Sequence, residues 1–330
     1  MGAAPHRLIA ADNSRLARYE FTQVEMGMQF KVLLYSDGDK AANQAAAAAF
    51  QRIHELNGIM SDYDPASELS RLSDTAGSGQ SVKVGPDLWK VLSRAQALAE
   101  QSAGAFDITV GAYVKLWRRA RRAKEMPAAD RLAEARTTVG YKFLRLDAEA
   151  QTVELLRPGM RLDLGGIAVG YAIDEALIVL ARQGITRALI DGSGDIVVGD
   201  PPPGEAGWRI GVAPLEAKDG PPTRFLTLHN CAVTTSGDAW QFVELDGKRY
   251  SHILDPHTGL GLTDRSLVIV VAHDGISADS LTKAVAVLGP GRGLTFLDKY
   301  PNAAALVVRQ VDGQTKVEET PNFKDFEAKP

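Results

Sequence analysis

The spacing of apolar and polar positions predicts strands and helices interleaved along the chain, with no fixed-period repeat. Phe30–Tyr35 (FKVLLY) reads as a short strand, and an Ala-rich helix follows from about Lys40 to Leu56. Asn57-Gly58 is the expected stop of that helix, since both residues tolerate the left-handed conformation that ends helices. Pro86-Asp87 opens a second helix running to Gln101, with Gly104 just beyond it. Lys115–Lys124 (KLWRRARRAK) continues a helical pattern whose basic face is expected in solvent.

From Phe143 to Leu164 the pattern changes to strands, with Asp147–Gln151 as the loop of a hairpin. A helix is expected at about Ala168–Gln183 and a buried strand at Ile185–Ile190. Asp200-Pro-Pro-Pro-Gly204 interrupts both kinds of element, as a linker or as a loop on one compact molecule. Beyond it, Phe242–Leu245 and Lys248–Ile253 flank Asp246-Gly247, a strong hairpin signal. Val268–Ala272 reads as a buried strand, Ser277–Leu288 as a helix capped by Ser277, and Ala304–Gln310 with Thr315–Glu318 as a hairpin around Asp312-Gly313. The mixture predicts an α+β fold rather than a regular βαβ series. Residues 1–20 are expected as an N-terminal extension, 21–320 as one domain and 321–330 as a poorly ordered polar tail.

Composition narrows the function classes. A net charge of -4 gives no support to nucleic-acid binding, and the single Cys231 excludes an internal disulfide or a thiolate-rich metal site within one chain. No stretch approaches the roughly 20 apolar residues of a membrane span, and the opening residues lack the apolar core of a secretory signal.

Five segments carry candidate chemistry. Asp163-Leu-Gly-Gly-Ile-Ala-Val-Gly-Tyr-Ala-Ile-Asp174 brings two glycines to a helix start, where backbone N–H groups are open to an anion. The same glycines also suit a tight strand-to-helix turn without ligand. Asp191-Gly-Ser-Gly-Asp195 and Thr234-Thr-Ser-Gly-Asp238 offer flexible turns with hydroxyl and carboxylate groups, and both also suit ordinary loops. Ser251-His-Ile-Leu-Asp255-Pro-His-Thr-Gly259 contains His252, whose imidazole titrates near neutrality and suits a general base. In Ser277-Ala-Asp279-Ser-Leu-Thr-Lys283, Asp279 either favours the positive end of its helix or serves as a hard oxygen ligand, with Lys283 one turn later on the same face.

In order along the chain these segments resemble the ApbE-type FAD:protein FMN transferase family. The resemblance extends from about residue 21 to 290 and includes Met26-Gly-Met-Gln-Phe30, Met60–Leu72 and Gly104-Ala-Phe-Asp107-Ile-Thr-Val-Gly111. It implies an ApbE-like (T-fold-like) fold of mixed sheets packed with helices, in which two lobes form one flavin-binding cleft. It also implies an enzyme that cleaves FAD, releases AMP and joins FMN by a phosphoester to Ser or Thr of an acceptor protein. On this resemblance Met26, Tyr63, Ala105, Phe106, Asp107, Asp163, Ser236, Gly237, His252, Ile253 and Lys283 contact the FAD. Gly166 and Asp279 would hold Mg2+, with His252 and Asp279 as the catalytic residues. The implied partners are FAD and an acceptor protein, expected to be a redox protein of the periplasm or cell envelope.

Two positions depart from the family pattern. Val169 stands where the family commonly has Lys, and Lys283 where it commonly has a metal-binding Thr. Thr282 is one residue early, a rotation of about 100° on a helix. The expectation is that Lys283 restores the charge missing at Val169 and weakens the metal site. Mg2+-dependent FAD hydrolysis, or flavin binding with little catalysis, are the alternative functions.

Overall fold

The computed structural model describes residues 16–212, 214–215, 221–222, 224–237, 242–311 and 313–328. The expected extension lies almost entirely before them, and the Asp312 half of the last turn signal and Asp238 lie outside them.

The chain opens with a hairpin of β1 (Ala17–Glu25) and β2 (Met28–Ser36). Its turn, Met26-Gly27, has φ of 49° and 73°, the positive values a two-residue hairpin turn needs. Helices α1 (Asp39–Met60) and α2 (Glu68–Asp74), strand β3 (Val82–Lys83), and helices α3 (Pro86–Gln101), α4 (Gly111–Ala123) and α5 (Ala129–Arg136) follow. Then come β4 (Leu144–Asp147), β5 (Thr152–Leu155), α6 (Ala168–Arg182), β6 (Ala188–Gly192) and β7 (Asp195–Val198). The rest is β8 (Trp208–Val212), β9 (Arg224–Leu228), β10 (Cys231–Gly237), β11 (Phe242–Leu245), β12 (Lys248–Ser251), β13 (Ser266–Ala272), α7 (Gly275–Phe296), β14 (Ala304–Val311) and β15 (Gln314–Glu319).

Among the described residues, eight strands form one antiparallel sheet in the order β1-β2-β6-β7-β10-β13-β14-β15. Strand β13 explains how this sheet is held. Val268, Val270 and Ala272 point into the core under α1, α6 and α7, while Leu267, Ile269 and Val271 point to the opposite core with Trp208, Leu226 and Phe323. Side chains alternate across a strand, so a central strand covered on both faces is apolar at every position. The three-stranded sheet β3-β5-β4 and helix α4 flank this body.

Several sequence expectations change. Helix α1 runs past Asn57-Gly58 to Met60, because Met60 buries its side chain in the core. Helix α7 is capped by Asp274, whose carboxylate accepts the Ser277 N–H at 3.0 Å, so Ser277 is not the cap. Past the predicted end at Leu288, α7 breaks at Gly289, φ 74°, before Pro290 resumes it. Strand β6 starts at Ala188, three residues later than the apolar run suggests. In place of a poorly ordered tail, Pro321–Phe326 is a 3-10 turn with Phe323 fully buried. Arg224 holds Glu327 at 2.7 Å through its Nε. The prolines at 201–203 form a surface loop between β7 and β8.

Helices α6 and α7 cross where neither has a side chain. A Cβ on Gly170 would lie 2.2 Å from the Gly275 carbonyl oxygen, and one on Gly275 would lie 2.5 Å from that of Gly170. Asp174 then accepts the first N–H groups of α7, Gly275 at 2.7 Å and Ile276 at 2.9 Å, which have no partner within their own helix.

Candidate functional site

The close crossing of α6 and α7 sets the position of Asp279. Its carboxylate is fully buried, and Oδ2 accepts the Gly170 N–H at 3.2 Å. That N–H belongs to the first turn of α6, so the helix start expected to meet an anionic ligand meets a protein carboxylate there. Oδ1 of the same carboxylate pairs with the Lys283 ammonium, four residues along the helix. The Lys283 stem lies over Gly166. A Cβ on Gly166 would come within 3.2 Å of Lys283 Cγ and 3.4 Å of the Phe106 ring. Residues Phe106, Gly166, Asp279 and Lys283 thus converge from three separate segments.

A second carboxylate joins this group. Asp195 opens β7, opposite Thr234 of β10, and faces both Asp279 and Lys283. Burial and the Asp279 charge push the Asp195 carboxyl well above its ordinary range. Burial by itself works to lower the Lys283 pKa, but the charges of Asp279 and Asp195 outweigh it and hold the ammonium protonated. Thr282 turns the other way. Its hydroxyl donates to the Asp279 carbonyl oxygen at 2.7 Å and meets the Ser236 hydroxyl at 2.9 Å. A hydroxyl has one proton, so Ser236 donates to Thr282 in this arrangement. Val169 is buried on α6 beneath the β6–β7 turn, where a Cβ on Gly192 would approach it to 2.9 Å.

Asp163 forms a neighbouring cluster through Arg118 of α4. The guanidinium reaches Asp163 at 3.2 Å, pairs with Asp62, and lies 3.9 Å from the centroid of the Tyr63 ring. Burial, with Asp62 close by, raises the Asp163 carboxyl above its ordinary value. Arg118 is thus only 18% exposed, and the basic helix does not present every charge to solvent. Its Trp117 is buried and donates its indole N–H to the Gly259 carbonyl at 2.8 Å. Tyr63 is 75% exposed, an aromatic ring open to a planar ligand.

Asp107 does not point outward in this way. It is buried and accepts the Thr109 N–H at 2.8 Å, the Thr109 hydroxyl at 2.7 Å and the Tyr141 N–H at 2.7 Å. Its carboxylate holds the segment that carries buried Ala105 and Phe106, and that segment is joined to the glycine turn by the Asp163 N–H to Ile108 carbonyl bond of 2.8 Å. Met26 is half-buried at the β1–β2 turn, at the same sheet end as the Asp191–Asp195 turn. There Ser193 donates its hydroxyl to the Gln29 carbonyl at 3.0 Å.

His252 follows β12 and is half-buried, between buried Ser251 and Ile253. The segment folds back on itself through Ser251 N–H to Leu262 carbonyl and Leu262 N–H to Ile253 carbonyl bonds, 2.7 and 2.9 Å long. It also packs on the Gly104 turn, where a Cβ would meet the His257 ring at 3.3 Å. Gly237 ends β10, and a Cβ there would sit 2.6 Å from the Ser266 carbonyl oxygen. A cavity of about 390 Å3 opens beside this segment, lined by residues including Tyr250, Asp255, Thr258, Val285 and Arg309.

Residues 26–307 match the model of the ApbE family. The chain belongs to the ApbE family. It is 32% identical over 310 residues to the FAD:protein FMN transferase of Treponema pallidum, covering 89% of this chain and 85% of the relative. It is 28% identical to that of Haemophilus influenzae, covering 87% and 86%. The crystal structure of the ApbE protein from Thermotoga maritima superposes with a TM-score of 0.84 at 28% identity, over 95% of this chain and all of that one. The flavin transferase ApbE from Vibrio cholerae gives 0.85 at 26% identity, over 94% and 99%. The mixed α+β architecture is therefore that of ApbE proteins.

Within this ApbE fold, sequence reasoning passed over Gly170, Asp174 and Gly275, which set the α6–α7 crossing, and Arg118, which links Tyr63 to Asp163. Gly170 had a readable signal, a small residue one helical turn after Gly166. Asp195 was legible only as a turn residue, because the charges of Asp279 and Lys283 that act on it come from α7, distant in sequence.

Proposed function

We propose that this chain is a FAD:protein FMN transferase, which attaches FMN to a Ser or Thr hydroxyl of an acceptor protein and releases AMP. The observation that carries the reading is the meeting of Phe106, Gly166, Asp279 and Lys283 at one point, in a family whose curated members bear that name. The exposed Tyr63 ring suits the flat flavin, and the Lys283 ammonium suits a diphosphate.

In this reading His252 accepts the proton of the acceptor hydroxyl. The hydroxyl oxygen bonds to the phosphorus of the FMN half, the diphosphate P–O bond breaks, and AMP leaves with the bridging oxygen. The cavity beside the His252 segment offers room for an acceptor segment to approach. The acceptor is proposed to be a redox protein of the periplasm or cell envelope.

The resemblance also implies Mg2+ held by Gly166 and Asp279. The donor set here does not fit a divalent ion, because Asp279 is engaged by Lys283 and Gly170, and the Thr282 hydroxyl faces Ser236.

Incubation with FAD and an acceptor peptide, followed by mass spectrometry, tests the assignment. A peptide gaining the mass of an FMN phosphoester supports transfer, and a His252→Ala variant is expected to lose it by about 100-fold or more while still binding FAD. AMP and FMN without labelled peptide would indicate hydrolysis, and intact bound FAD would indicate a flavin binder.

A further inference from the structure

We propose that the Lys283 ammonium takes the place of a bound divalent cation, supplying a built-in positive charge toward the FAD diphosphate so that the chain binds FAD without metal. The proposal rests on the assignment of FAD as substrate.

Position and charge both support it. The ammonium lies against Asp279 Oδ1 while the stem covers Gly166, so one side chain spans the carboxylate and the backbone turn expected to share a cation. A divalent ion there would stand beside an ammonium, and like charges at such a separation repel strongly in a buried site. Asp279 already pairs with the ammonium, and the Asp195 charge also acts on it. The neighbouring hydroxyl, that of Thr282, is committed to Ser236 and to the Asp279 carbonyl. Among the described residues, no group of three or more His, Cys, Asp or Glu side chains gathers to hold a metal elsewhere.

The chemistry of the exchange is consistent. A lysine is a compact point charge with three donors, and a phosphate oxygen can replace one carboxylate contact without the ammonium leaving its place. Val169 contributes no charge from α6, whereas Lys283 brings a positive charge from α7. Binding in trans of a metal is replaced by a side chain whose position is fixed by folding.

The test measures binding rather than turnover. Flavin fluorescence titrations of the wild-type chain, K283T and K283M are made in EDTA and in MgCl2, with Mn2+ titrations followed by electron paramagnetic resonance. Circular dichroism reports folding of each variant. The wild-type Kd for FAD is expected to differ by less than about twofold between the two buffers. K283T removes the ammonium and restores a hydroxyl, so its FAD affinity is expected to fall about tenfold or more in EDTA and to recover with Mg2+. K283M is expected to lose affinity in both buffers. Wild-type protein is expected to leave Mn2+ free where K283T binds it.

Loss of wild-type FAD binding in EDTA, or Mn2+ binding to wild type as tight as to K283T, would overturn the proposal; the first measurement needs no variant. Failure of wild type to bind FAD in either buffer would instead overturn the substrate assignment, and the diphosphate role with it. The Mn2+ titration uses no flavin and still decides whether Lys283 excludes the ion.

Discussion

The guanidinium of Arg118 lies over the ring of Tyr63, 3.9 Å from its centroid, while the same group holds Asp62 and Asp163. One side chain thus orients an exposed aromatic ring and ties it to the glycine turn that leads into α6. Tyr63→Ala is expected to lower FAD affinity roughly tenfold, the scale of a lost stacking contact, and to move Tm by less than about 2 °C. Arg118→Ala removes the charge between two carboxylates as well as the ring contact. It is expected to lower both FAD affinity and Tm, as measured by fluorescence titration and thermal denaturation.

Gly166 and Gly170 are one helical turn apart in sequence but differ in what surrounds them. A methyl at Gly166 meets the flexible Lys283 stem and the edge of Phe106, both beyond 3 Å. Gly166→Ala is therefore expected to cost less than about 1 kcal/mol of stability while displacing Lys283 and weakening FAD binding. A methyl at Gly170 meets the Gly275 carbonyl oxygen at 2.2 Å, and backbone cannot rotate away. Gly170→Ala is expected to cost about 2–3 kcal/mol by forcing α6 and α7 apart. Urea denaturation of the pair distinguishes the two cases.

Asp107 is expected to act through structure. Asp107→Ala leaves the Thr109 and Tyr141 N–H groups without their acceptor, and a loss of about 2–4 kcal/mol is expected in urea unfolding. Flavin contact alone would give a much smaller stability change. Asp107→Asn keeps one acceptor oxygen and should lose less.

Asp174 makes stability depend on pH. Burial pushes its carboxyl up to about 7 from an ordinary 3.8, although the Gly275 and Ile276 N–H groups favour the charge. The folded state therefore holds this proton more tightly than the unfolded chain. Its contribution is fully present below about pH 4 and is lost as pH rises toward 7. Nearby Asp274 strengthens the effect and Lys90 opposes it. Asp174→Asn is expected to flatten the fall in Tm between pH 5 and 8 relative to wild type, and an unchanged slope would show that Asp174 is ionised throughout.

Much of the secondary structure was legible because it depends on neighbours in the chain. Asp246-Gly247 adopts φ of 51° and 71°, as a hairpin turn requires, and Pro86–Gln101 is helical over its whole predicted length. The family, too, is readable from motifs in order. Errors fell where distant packing overrode local preference. Buried Met60 carries α1 past Asn57-Gly58, and buried Phe323 orders a polar C-terminal segment. Sequence alone thus determined the long helices, several of the strands, the family and the unusual pair Val169 and Lys283. Only the tertiary structure decided that this helical pair of Asp279 and Lys283 meets Gly166 and Phe106, with the Asp195 charge acting on the ammonium. That choice rests on the glycine-to-glycine approach of α6 and α7, a distance between backbones that no local pattern of residues encodes.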